Sequence, residues 1–306
     1  KSTVPNNTVN PNVDMTGWVN YSQQQRELEK KAYRDNQTIY DYGAVGDGTL
    51  HTVQEWYTPA HQNYRGYANL TAVQVDYPFV TDKDFSCDQA AILKLANLKS
   101  QKGGGSVDLS IGVFIVRPIS NGPCLPIPTK VTLKGHREDT VLHEITDTSD
   151  NPNTSVNWDL VSFVGDGNIG GGINNCTIRH TGGRRNNTCS IAVRGGASRK
   201  KITGNIFENS IGSCIGIEGS VADPIITKCL IKGNTIKASS RHGVYLSGSC
   251  GNHITQNDIF VSALEAIQNR NPSDNTVNFN NFYGVSDVEK SAIMFTQPPV
   301  GETTSY

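Results

Sequence analysis

The chain has 306 residues and a near balance of 27 basic and 28 acidic side chains, for a net charge of −1. That balance gives no electrostatic pull towards nucleic acid or an anionic membrane, and no apolar run approaches the roughly 18 residues of a membrane span. Its 30 glycines and plentiful asparagine fit turn-rich β structure, and the length suits one solenoid or two ordinary domains.

Taken in order, residues 1–36 are polar and are expected to form a neck or linker arm, with one short charged helix over 23–33. This polar start is no secretory signal, and the missing initiator Met points to a fragment or a processed chain. Residues 39–49 read as a strand ending in a Gly/Asp turn. Residues 50–84 read as an insertion whose aromatics (Trp56, Tyr57, Tyr64, Tyr67, Tyr77) pack a long loop onto the body, with stacking on sugar rings as the alternative use. Ser86 then caps a helix over 88–101, with Ala90, Ala91, Ile92, Leu95, Ala96 and Leu98 on its apolar side. Gly103-Gly104-Gly105 stops it. Strands follow at 107–109, 113–116 and 129–135, and residues 107–165 supply the first, less regular coils.

From 173 to 295 the sequence repeats. An aliphatic residue, an Asn three later and an apolar residue two after that recur as Ile202-Asn205-Phe207, Ile231-Asn234-Ile236, Ile254-Asn257-Ile259 and Val277-Asn280-Phe282. Ile173-Cys176-Ile178 precedes them, with Cys in the Asn place. Successive frames lie 29, 29, 23 and 23 residues apart. A second short strand follows each frame, at 191–193, 215–217, 244–246, 267–269 and 293–295. Two alternating strands per repeat, with no helical period between them, predict a stacked parallel β solenoid. Coils in such a stack lie about 4.8 Å apart, so like residues form columns. The Ile column fills the tube, and a buried Asn column passes amide hydrogen bonds from coil to coil.

The string DYGAVGDGT at 41–49 resembles the opening segment of pectate-lyase-like β-helix proteins, most closely that of bacteriophage tailspikes. NPNVDMTGWV at 10–19 resembles the neck of tailspikes from phages of capsulated Gram-negative bacteria, and the helix-GGG-strand unit is also similar to theirs. The resemblance implies an all-β fold, a right-handed single-stranded parallel β-helix whose short N-terminal helix plugs the open end of the tube. It divides the chain into a neck at 1–36, an opening segment with insertion and capping helix at 37–106, the β-helix body at 107–296 and a tail at 297–306. It further implies a homotrimeric virion component, made in the bacterial host cytoplasm. Such a protein joins phage tail or baseplate proteins through a region ahead of Lys1, and binds and cleaves a bacterial surface polysaccharide, capsule or O-antigen. The family normally continues into further coils or a trimerising domain, whereas here only TQPPVGETTSY follows Phe295. Trimerisation by this chain alone is therefore left open.

Fold does not give function, so the outward columns carry the chemistry. Surplus residues at 181–189 and 219–227, in the two 29-residue coils, are expected to wall a groove on one face. One column across that face is Arg194, Glu218, Ser247, Arg270; its neighbour is Ala192, Gly216, Tyr245, Gln268, Met294. At the turn before each strand come Cys189, Ser213, His242, Glu265 and Ser291. Glu218, Glu265 and His242 are thus the candidate catalytic residues, and Arg194, Arg241, Tyr245, Arg184, Arg185 and Asp223 the candidate substrate-binding ones. Carboxylates flanking a sugar, with Tyr and Arg to stack and hydrogen-bond, suit glycosidic hydrolysis. Small Ala192 and Gly216 beside Tyr245 are expected to leave a recess. Counted in coils, Glu218 and Glu265 lie about 10 Å apart, nearer the inverting than the retaining distance.

Plainer readings compete. Glu218 beside Arg194 suits a surface ion pair, Glu208 between Arg179 and Lys237 a charge ladder, Asp258 beside Asn281 a turn bond, and His242 a turn residue. The seven cysteines have no metal spacing and read as reduced, buried thiols. The seven histidines show no ligand spacing, and no acidic cluster suits calcium, so neither metal nor cofactor is expected. Two other functions stay open. One is a polysaccharide lyase, with His242 or Tyr245 as base and Arg241 neutralising a uronate. The other is a spike that grips glycan without cutting it.

Overall fold

Residues that recur every 23 or 29 positions stack into two large parallel sheets, beside a short two-stranded one of Ile225–Ile226 and Ser249–Cys250. The computed structural model describes residues 37–118, 122–145, 159–181, 188–219, 225–260, 264–270, 274–283 and 292–296. The neck with its expected helix and the tail after 296 lie outside these. Among the described residues, one sheet has seven strands, running from Leu125–Pro126 through Val161–Val164, Cys189–Arg194, Ser213–Glu218, Val244–Ser247 and Ile267–Arg270 to Ile293–Thr296. The other has twelve, built around Val131–Ile145 and Gly172–Thr181, each of which spans the place of two shorter strands in later coils.

Register follows the repeat. Ile191, Ile215, Val244 and Ile267 align across the first sheet, and Ile173, Ile202, Ile231 and Ile254 across the second. All eight are fully buried, so both columns face the tube. Burial of apolar area is what holds such coils together, since each coil touches only its neighbours.

The Asn column behaves as its chemistry requires. Asn205, Asn234 and Asn257 are fully buried, and each side-chain oxygen, like that of Asn280, accepts the backbone N–H of the preceding coil at 3.0 Å. The same oxygens of Asn234, Asn257 and Asn280 accept the preceding amide Nδ2 at 3.1, 2.9 and 2.8 Å. Cys176 ends the column because its thiol accepts no such bond, though its N–H still reaches Asn205. A second ladder, unforeseen from the repeat frame, joins Asn252 to Asn275 at 3.0 Å and takes in Thr227 at 2.6 Å.

The helix is Cys87–Gln101, with the Ser86 side chain accepting Gln89 N–H. Its buried Asp88 accepts the N–H groups of Val45, Gly46 and Ile115 at 2.7, 3.1 and 2.8 Å. This changes the opening segment. Ile39–Tyr42 is a 3₁₀ turn and not the expected strand: its carbonyls accept locally, Tyr40 from Gly43 N–H and Ile39 from Ala44 N–H, while Asp88 takes the N–H groups of Val45 and Gly46 that a continuing strand would have paired. Only a single bridge, Asp47 to Val113, remains of sheet pairing there. The insertion is more ordered than a loop, with a 3₁₀ turn at Val53–Tyr57 and a helix at Leu70–Asp76. Trp56 and Tyr77 pack inward as expected, buried and 4.9 Å apart, with Tyr57 and Tyr67 partly buried against the core, whereas Tyr64 stays exposed.

Candidate functional site

The predicted outward columns are in register. Glu218 pairs with Arg194 on one side and Ser247 on the other, and Ser247 with Arg270. Gly216 pairs likewise with Ala192 and Tyr245. The first five residues of Cys189–Arg194 and of Ser213–Glu218 are all buried, as are His242–Val244 and the pair Ala266–Ile267. That breaks the in-out alternation and sets Cys189, Ser213, His242 and Glu265 at a corner.

One centre forms around Arg194. Its guanidinium donates to Asp159 at 2.8 Å and to Glu218 at 3.0 Å, a planar fork bridging two carboxylates. The Glu218 side chain keeps 33% of its surface exposed, whereas Asp159 keeps 3%. Asp159 also accepts the Cys189 N–H at 2.9 Å. Burial pushes its carboxyl up to about 6, against the opposing pull of Arg194 and the bond from Cys189. Sequence reasoning missed Asp159, which sits before Val161–Val164 in an irregular coil where no repeat frame marks it. The expected recess is filled. A Cβ on Gly216 would lie 2.4 Å from Cys189 Sγ, so the small residues make room for that thiol and for Arg194 and Glu218.

A second centre forms around His242, whose ring stacks on Tyr245 at 5.4 Å and 18°. Its Nδ1 lies 3.1 Å from Glu265, close enough for a charge contact but poorly aligned for a hydrogen bond. Burial lowers the imidazole to about 4, outweighing Glu265, with Arg241 adding to the drop. His242 is therefore neutral at pH 7, and its approach to Glu265 is no ion pair there.

The two predicted carboxylates are offset along the strand. Glu218 aligns with Ser247 and Arg270, whereas Glu265 precedes Arg270 by five residues. Counting coils alone left out that displacement along the strand. Glu218 also turns towards the earlier coil and Glu265 towards His242. Arg184, Arg185 and Asp223 lie outside the described residues. The charge ladder holds, with Glu208 2.9 Å from Arg179 and 2.8 Å from Lys237. Asp258 accepts Asn281 at 2.8 Å, the expected turn bond.

A third, inward cluster was also missed. Glu144, His180, Ser190 and Ser210 are all buried and joined at 3.0, 2.8 and 2.7 Å. It reads as a polar seam fixing the corner beside Cys189, since none of its groups faces solvent. All seven thiols are buried and free of disulfides. Among the described residues, no group of three or more His, Cys, Asp or Glu side chains is arranged to hold a metal ion.

The family described as a right-handed β-helix region matches residues 160–297. The fold is a right-handed parallel β-helix. No curated protein sequence matches the chain. Among solved structures, the A-module of the Azotobacter vinelandii mannuronan C-5 epimerase AlgE6 is 13% identical, with 85% of this chain and 80% of that one covered and a TM-score of 0.31. A Parabacteroides merdae protein assigned as a glycosyl hydrolase is 11% identical, over 85% and 95%, at 0.35. The Streptococcus pneumoniae surface adhesin PfbA is 12% identical, over 85% and 78%, at 0.23. Likenesses this distant say nothing about the chemistry of the chain.

Proposed function

We propose that this β-helix binds a bacterial surface polysaccharide, capsule or O-antigen, and hydrolyses its glycosidic bonds, as a homotrimeric phage tailspike. The neck and opening strings support the tailspike assignment. The observation that carries the chemistry is the Arg194 fork: it holds an exposed Glu218 at the sheet surface and ties it to a buried Asp159. Glu218 is the carboxylate that meets substrate. Arg194 fixes its direction, and Asp159 positions Arg194 from behind. Glycosidic cleavage needs a second, proton-handling group across the sugar. Glu265, with 12% of its side chain exposed, is the second carboxylate on this face and the one assigned to that role. Because the two are displaced along the strand, the sugar would lie obliquely across the coils.

One observation favours a second reading. A neutral His242, stacked on Tyr245 and next to Arg241, suits abstraction of the proton at C5 of a uronate, with Arg241 facing the sugar carboxylate. The two reactions leave different ends. Hydrolysis creates reducing ends in step with polymer shortening and no conjugated uronate, whereas elimination creates an ultraviolet-absorbing unsaturated end for each cut. Equal counts of cuts and unsaturated ends would replace the hydrolase reading with the lyase.

A further inference from the structure

We propose a second glycan-binding surface on the twelve-stranded sheet, formed by Phe260, Phe279 and Tyr283 with Asp258 and Asn281 among them. This rests on the reading that the partner is a polysaccharide, but it places binding away from the Arg194 and His242 centres.

The starting point is a costly residue. Phe279 is 79% exposed and adopts φ 53°. Its place, just before the ladder position, is held in the earlier coils by Asn175, Gly204, Gly233 and Gln256, at φ 54°, 67°, 65° and 56°, each glycine or a polar residue. The corner needs a residue that tolerates the left-handed region, and glycine does so without a Cβ clash. A large aromatic there, turned to water, gives the fold nothing in return.

Two more aromatics stand nearby. One outward column runs Arg179, Glu208, Lys237, Phe260, Tyr283. Its first three members form the solvated charge ladder. At the next two coils it switches to aromatics, 40% and 46% exposed and stacked at 4.6 Å and 15°. Phe279, Asn281 and Tyr283 alternate outward along one chain segment, and Asp258 pairs with Asn281 in the neighbouring coil. The surface is therefore aromatic, then carboxylate and amide, then aromatic. Apolar contact alone would bury the Asp258–Asn281 pair without answering its remaining hydrogen-bonding capacity. A sugar offers both halves of the match: C–H faces for the rings, and hydroxyls that donate to the carboxylate and exchange bonds with the amide.

The test uses the whole chain carrying Glu218→Gln, so that bound polymer is not cut, titrated calorimetrically with purified capsule and O-antigen polysaccharides. Adding Phe279→Ala and Tyr283→Ala is expected to weaken binding at least about tenfold, the size of loss that marks an aromatic anchor. Phe279→Tyr with Tyr283→Phe is expected to restore it. Unaltered binding in the alanine variant, or no polysaccharide bound at all, would overturn the proposal. So would a drop in oligomeric state in the alanine variant, which would make this a contact between copies of the chain. If the protein without Glu218→Gln leaves polymer length unchanged yet the aromatic substitutions abolish binding, the hydrolysis reading falls and this surface stands.

Discussion

Gly216 shows how tightly the Arg194 centre is built. Replacing it with Ala would push a methyl group onto Cys189 Sγ and towards Glu218, and overpacking of this kind costs about 1–3 kcal/mol. The loss should be largely recovered by combining Gly216→Ala with Cys189→Ala, read as a melting shift in a double-mutant cycle. Independent, additive losses would mean that the two side chains do not share the space. Asp159 gives a pH signature. Its folded value of about 6 lies above its ordinary 3.8, so its contribution to stability is complete below about 3.8 and lost as pH rises through about 6. His242 runs the other way, contributing above its ordinary 6.5 and losing that as pH falls through about 4. Comparing wild type with Asp159→Asn isolates the first: wild type should lose stability relative to the variant between pH 4 and 7. A relative gain over that range would show that Arg194, and not burial, governs the carboxyl.

At the scale of the element, the Asn ladder is the clearest case of sequence dictating structure. Asn257 bridges Asn234 and Asn280 and also donates to two carbonyls, those of Ile231 and Thr255. Asn257→Ala removes the acceptor of the Asn234 N–H and amide and a donor to the Ile231 and Thr255 carbonyls, a destabilisation on the order of 3 kcal/mol. Asn280→Ala, nearer solvent, should cost clearly less when both are unfolded in denaturant. Equal costs would mean that water reaches the ladder along its length. This column, the Ile columns and the register of Arg194, Glu218 and Tyr245 were legible because a fixed repeat aligns like residues. Asp159, His180 and the Asn252 ladder were not. The first two lie in coils of irregular length, and Asn252 belongs to a turn that the strand frames do not count. The offset between Glu218 and Glu265 was not legible for a related reason: the repeat gives the coil number, but distance also depends on position along the strand.

At the scale of the molecule, the coils behind the helix Cys87–Gln101 carry different surfaces on their two larger sheets. The seven-stranded sheet presents the Arg194 and His242 centres, and the twelve-stranded sheet presents a charge ladder that gives way to aromatics. On the proposed reading, a long polymer is the partner that would use both. The central claim is that Glu218 cuts such a polymer. The most direct measurement is gel filtration of purified surface polysaccharide after incubation with wild type and with Glu218→Gln, alongside a binding assay of each. The account predicts that wild type shortens the polymer and that Glu218→Gln binds it as tightly but cleaves on the order of 10²–10⁴ times more slowly. Cleavage by Glu218→Gln at the wild-type rate would contradict the account, and so would a wild type that binds its polymer and leaves the length unchanged.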